Sequence, residues 1–105
     1  MKKVFLSLGF KGKTEEQVNN EIEKAKKRIA AYYECGEDLE FVNVEFIHNY
    51  DYVGVNRVEC LGEAIKKMSR CDKVYFINDW FNYNGCSIEK EICELYDISH
   101  ETVIV

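Results

Sequence analysis

An α/β fold with a parallel sheet is predicted from three observations. Short apolar runs alternate along the 105 residues with segments of helical period. A helix between successive strands implies parallel pairing through right-handed crossovers. The first run, Val4-Phe5-Leu6-Ser7-Leu8, is nearly continuous, as a strand covered on both faces requires. The composition, 47% hydrophobic against 31% charged, is that of a globular domain with its own core rather than a disordered chain. At this length one domain spanning residues 1–105 is expected.

After the first strand, Gly9-Phe10-Lys11-Gly12-Lys13 reads as a glycine-bearing loop. Thr14 caps the helix that follows. Gln17 completes a capping box, and Glu15 and Glu16 suit the positive end of the helix dipole. Val18, Ile22, Ala25, Ile29 and Tyr32 recur at steps of four and three, one helical face. Gly36 is a stop. The cluster Lys24, Lys26, Lys27 and Arg28 is either the solvated face of this helix or an anion site.

Phe41-Val42-Asn43-Val44-Glu45-Phe46 alternates with period two and reads as the second strand. A polar and aromatic loop follows, and Asn56 with Glu59 offers a cap to a second helix. Leu61, Ala64, Ile65 and Met68 form its buried stripe. Val74-Tyr75-Phe76-Ile77 is the third strand and Asn78 to Asn84 a loop. Gly85 opens a third helix with Ile88, Ile92 and Leu95 as its core face, and Thr102 to Val105 make a terminal strand. The order βαβαβαβ gives a three-layer, flavodoxin-like sandwich with strand order 2-1-3-4.

The net charge of −5 argues against general nucleic-acid binding, whose affinity comes from neutralising phosphates. The five cysteines, Cys35, Cys60, Cys71, Cys86 and Cys93, are odd in number and lack CxxC spacing. With only His48 and His100 beside them they suggest no metal site. They read as reduced, small core residues. The apolar run after Lys2 and Lys3 stops at Gly9, too short for a signal peptide or a membrane span. A cytoplasmic protein without membrane attachment is expected.

In sheets of this topology ligands bind beyond the carboxyl ends of the strands, at the switch between strands 1 and 3. Three segments meet there: Gly9–Lys13, His48–Asn56, and Asn78–Glu89. Glu89 is placed in the first turn of the third helix, where the dipole keeps a carboxylate ionised and nucleophilic. Gly85 admits a ligand close to the backbone, and the N–H groups of the helix start suit an anion. Trp80, Phe81 and Tyr83 offer flat faces to a base, or belong to the core or rim. The first loop suits phosphate binding with Lys11 or Lys13. It matches neither the P-loop nor the dinucleotide fingerprint, and an ordinary turn is the alternative. His48 is a loop residue or a general acid. Glu63 is a surface residue, or presents a carboxylate to a sugar hydroxyl. No cofactor is expected.

Three stretches resemble the nucleoside 2-deoxyribosyltransferase-like superfamily, especially a branch of small proteins from phages and bacteria. They are Leu6-Ser7-Leu8-Gly9-Phe10-Lys11-Gly12-Lys13-Thr14-Glu15-Glu16, then Leu61-Gly62-Glu63-Ala64-Ile65 through Cys71-Asp72-Lys73-Val74-Tyr75-Phe76, and Trp80 with Gly85-Cys86-Ser87-Ile88-Glu89. The resemblance implies a nucleoside or nucleotide ligand and cleavage of its N-glycosidic bond, by hydrolysis or by transfer of the sugar to another base. Glu89 matches the nucleophile that attacks C1′ of the sugar, in the manner of a retaining glycosidase. Ser7, Gly9, Phe10, Lys11, Gly12 and Lys13 match the stretch that binds sugar or 5′-phosphate, with His48, Trp80, Tyr83, Gly85 and Cys86 around the ligand. The family's aspartate on the second helix is one residue from Glu63. The carboxylate before its nucleophile is replaced by Tyr83, with Asp79 nearest, so Glu63 or Asp79 would orient the sugar or donate a proton. The chain has no proline, and Gly9-Phe10 stands where relatives carry one, so the loop lacks that fixed φ. Relatives complete their pockets across a subunit interface, which implies a homodimer or higher homo-oligomer. The alternative is a protein that sequesters a nucleotide without turning it over.

Overall fold

The computed structural model describes residues 1–44 and 54–105. Four strands, β1 (Lys2–Ser7), β2 (Leu39–Val42), β3 (Lys73–Ile77) and β4 (His100–Val103), form one parallel sheet in the order β2-β1-β3-β4. Helix α1 (Glu15–Arg28) covers one face, and α2 (Gly54–Met68) and α3 (Asn84–Leu95) cover the other. The three-layer, flavodoxin-like sandwich and its strand order are those the alternation of segments predicts.

The apolar run of β1 is buried on both sides. Val4 and Leu6 join Val18, Ile22, Ala25 and Ile29 of α1 in one core. Phe5 points the other way, to Ala64 and Met68 of α2 and Cys93 of α3. Phe5, Leu6 and Phe76 are at most 1% exposed, and each contributes about 1.5–3 kcal/mol through that burial. Two layers of helix therefore grip β1 and β3 and leave their carboxyl ends as a rigid ledge.

Helix α1 begins with the expected capping box. The Thr14 hydroxyl accepts from the Gln17 N–H at 3.1 Å, and the Gln17 side chain accepts from the Thr14 N–H at 2.8 Å. Its far end departs from expectation. Ile29–Tyr33 is a π-helical turn, which holds more residues per turn than an α-helix. The stripe therefore slips by one position. Tyr32, expected in the core, is 77% exposed, and Tyr33 packs edge-on against Tyr75 at 5.7 Å. Gly36 follows at φ +78°, the left-handed conformation a helix stop needs.

Other boundaries also move. β2 ends at Val42, and residues 45 and 46 of the expected strand lie outside the described residues. Helix α2 starts at Gly54, so Asn56 stands within the helix, past the cap position. β4 starts two residues earlier than expected, because His100 is in register with Val74. In α3 the buried positions are Cys86, Glu89 and Cys93, while Ile88 and Leu95 face solvent. Ile92 alone of the expected three packs against the core. The face that meets the sheet is thus rotated from the one the aliphatic residues mark.

At the amino end of the sheet, Glu34 is buried and holds three partners. Lys2 Nζ lies 2.7 Å from Oε1, Lys73 Nζ 3.5 Å from Oε2, and the Tyr75 hydroxyl donates to Oε2. Burial alone would raise the Glu34 pKa; the bonds from Lys2 and Tyr75 outweigh it and hold the carboxyl below its ordinary value. Among the described residues no helix is long and apolar enough to cross a membrane.

Candidate active site

The carboxyl ends of β1 and β3 open into a cavity of about 410 Å³ between the first loop and the amino-terminal turns of α2 and α3. That volume lies in the range that encloses small organic ligands, about 300–1,000 Å³. Ser7 is the last residue of β1 and is 2% exposed. Its hydroxyl donates to Oε1 of Glu89 at 2.8 Å. Glu89 is 4% exposed and borders the cavity, and its Oε2 is buried with no hydrogen-bond partner among the described residues. An unpaired buried carboxyl oxygen is costly and rare.

The ionisation of Glu89 differs from expectation. Helix α3 begins at Asn84, so Glu89 sits in the second turn, and the dipole effect fades beyond the first. Burial dominates and pushes the carboxyl up to about 7, against the lowering influence of the Ser7 bond. Near neutral pH the group is divided between acid and carboxylate. Cys86, one turn earlier, also borders the cavity and is 4% exposed. Burial pushes its thiol up to about 12, so it is a wall residue and not a thiolate nucleophile.

Tyr83 caps α3 through its backbone: its carbonyl accepts the Ser87 N–H at 3.0 Å. Its ring lies on Gly9. A Cβ at residue 9 would stand 2.1–2.3 Å from ring atoms Cγ, Cδ1 and Cδ2, so only glycine fits. The Tyr83 hydroxyl reaches the Lys11 carbonyl at 3.4 Å. The first loop and the start of α3 are thereby fastened together, and the ring's contact with Gly9 withdraws that surface from stacking.

Lys13 does not border the cavity. Its Nζ pairs with Glu21 at 2.7 Å and Asp79 at 3.5 Å, and lies 5.1 Å from the Tyr83 ring centroid. Burial lowers its pKa, the bond and charge of Glu21 raise it, and the net direction is up. The ammonium expected to meet a phosphate is thus engaged within the protein. Gly12 sits outside the cavity at φ +80° and serves the turn.

The structure brings together Ser7, Gly9, Phe10, Lys11, Tyr83, Gly85, Cys86 and Glu89 of the expected site residues. Besides Gly12 and Lys13, it separates three others. Glu63 is on the exposed side of α2, paired with Lys66 at 3.4 Å. Asp79 turns to Lys13. Trp80 packs on Phe76 at 5.5 Å, with Phe81 outside it. A Cβ at Gly85 would make only ordinary contact with Leu61 at 3.6 Å, so space does not demand glycine there. His48 lies outside the described residues.

Sequence reasoning missed Arg57 on the cavity wall, and did not single out Asn82 and Asn84 within the Asn78–Glu89 segment it placed there. Arg57 lies four residues before Leu61, on the same helical stripe, and that spacing is the signal that would have found it. Among the described residues no group of three His, Cys, Asp or Glu side chains is placed to hold a metal ion. Comparison of the chain with protein-family models, curated proteins and solved structures finds no match.

Proposed function

We propose that the crevice binds a nucleoside or nucleotide and that Glu89 cleaves its N-glycosidic bond. The observation that carries this reading is the arrangement of the Glu89 carboxyl. Ser7 fixes Oε1, while Oε2 lies buried, without a partner among the described residues, on the wall of a ligand-sized cavity. Once ionised, a poorly solvated carboxylate is a strong nucleophile. Oε2 attacks C1′ of the sugar and the C1′–N bond breaks. The electron pair leaves on the base, which takes a proton from water. A second water then attacks C1′ of the glycosyl ester and gives its proton to the hydroxide left by the first, freeing the sugar and restoring the Glu89 carboxylate. Phe10 and the alkyl wall exclude solvent from the ester. Chromatography after incubation with deoxynucleosides and their 5′-phosphates tests this. Free base is expected with wild type, and none with Glu89→Ala. Full activity in that variant, or no base from any substrate, refutes it.

A second reading, binding without turnover, is favoured by one observation. Among the described residues Glu89 is the only carboxylate bordering the cavity, so no second acid stands ready for the leaving base. A thermal shift with a nucleotide that is recovered intact would select this reading. Both readings include a homodimer or higher assembly, supported by the exposed Leu95 at the end of α3 and Tyr96 just after it. A monomer by light scattering at micromolar concentration would refute the assembly.

A further inference from the structure

We infer that the stripe of Lys24, Lys27, Arg28 and Tyr32 docks an acidic, extended peptide segment of a partner protein. The stripe is separate from the crevice, and the two cavities share no lining residue.

The basic cluster of α1 divides in the structure. Lys26 turns to Glu23 at 3.6 Å and lies 5.8 Å from the Phe41 ring centroid. Lys24, Lys27 and Arg28 instead line a second cavity, of about 330 Å³, with Tyr32 and Val105. Among the described residues no carboxylate forms an ion pair with any of the three. Like charges three and four residues apart on a helix repel one another. The helix dipole favours Lys27 and Arg28 in the last turn, but it does not reach Lys24 one turn earlier. An anion lying along the groove relieves that repulsion.

Tyr32 supplies the second observation. The π-helical turn moves it out of the core stripe and onto this groove, where it is 77% exposed. Single π turns are frequent at functional positions. The Arg28 guanidinium lies 5.9 Å from the Tyr32 ring centroid. Val105 borders the groove, and its neighbour Ile104 is 74% exposed. The groove therefore joins a cationic wall to an aromatic and aliphatic one.

This combination selects the occupant. A small inorganic anion makes no use of the apolar wall. A nucleic acid is repelled by the net charge of −5 on the rest of the chain. An acidic peptide uses both walls, and its spacing matches. Lys24 and Arg28 stand four residues apart in α1, about 6 Å along the axis. Alternate side chains of an extended peptide are about 6.6 Å apart on one face. Two acidic residues separated by one other can thus meet Lys24 and Arg28 together, with an apolar residue further along at Tyr32.

Fluorescence anisotropy tests the inference with a labelled peptide in which aspartate alternates with serine and leucine stands at the end. Its neutral analogue, with asparagine for aspartate, should bind wild type about 10-fold more weakly, as a few exposed ion pairs give. The triple variant Lys24→Gln, Lys27→Gln, Arg28→Gln keeps good helix formers and should bind both peptides equally weakly. Tyr32→Ser should abolish the advantage of leucine over serine at the peptide's end and keep the preference for aspartate. Lys66→Gln with Lys67→Gln, exposed on α2, should change nothing. Equal binding of the two peptides by wild type, a preference that survives the triple variant, or one lost in the α2 variant would overturn the inference. So would tighter binding of a single-stranded oligonucleotide than of the acidic peptide. A wild-type dimer that the triple variant converts to a monomer in sedimentation would assign the stripe to a second copy of the chain instead.

Discussion

Replacing Glu89 by glutamine should make the protein's stability less sensitive to pH, by an amount the structure sets. The folded protein keeps the Glu89 proton until about pH 7, whereas the unfolded chain releases it near the ordinary value of 4.5. Between these values the native state binds more protons than the unfolded state, so stability falls as pH rises. The difference of the two values corresponds to about 3 kcal/mol, present in full below 4.5 and lost once pH exceeds about 7. Glutamine has the same shape, accepts the Ser7 bond, and does not titrate. Urea unfolding of both proteins at about pH 4.5 and about pH 8 measures the effect. Groups common to both cancel in the comparison. The variant should gain about 3 kcal/mol relative to wild type between the two conditions. A gap that is independent of pH, or that moves the other way, would refute the argument that burial governs this carboxyl.

Three further outcomes are expected. Gly9→Ala drives a methyl into the Tyr83 ring and should cost about 1–3 kcal/mol, seen as a lower Tm. The cost should shrink in a Tyr83→Ala background, and an undiminished cost there would point to another cause. Glu34→Gln removes the carboxylate shared by Lys2, Lys73 and Tyr75 and should cost about 1–3 kcal/mol at neutral pH. Because that carboxyl is held below 4.5 in the fold, its contribution is full above that value and lost as pH falls through the depressed pKa. The gap to wild type should therefore close in acid, and a gap that persists there would contradict the charge-based account. A thiol reagent should label the exposed Cys35 first and reach Cys86 and Cys93 only on unfolding, since burial raises those thiols to about 12 and about 11. Prompt labelling of Cys86 in the folded protein would contradict this.

The parts of the fold legible in the sequence are those where one signal dominates. The apolar run of β1, the Thr14–Gln17 box and the stripe from Val18 to Ile29 each name their element locally. Helix α3 was legible as a helix but not in its orientation. Two of its three buried positions are cysteines and the third is Glu89, while its isoleucines and leucine lie partly or fully outside. A period search weights aliphatic residues and so selects the wrong face. At the site, Glu89 was legible from its neighbours in sequence, but its protonation was not, because burial is a property of the assembled layers. Lys13 looked like a phosphate ligand because its partners are distant: Glu21 lies two helical turns on, and Asp79 arrives from the turn after β3. Arg57 went unseen because α2 begins before the residue chosen as its cap.

The contact between Gly9 and the Tyr83 ring also bears on how such a sequence drifts. While tyrosine stands at 83, every mutation away from glycine at 9 meets the ring. Once residue 83 is small, position 9 is released, and a later return to tyrosine is then blocked by whatever has settled there. The two sites behave as one inherited character with an order of steps. Because residue 83 is also the backbone cap of the helix that carries Glu89, lineages that take the two orders would come to differ in the shape of the crevice.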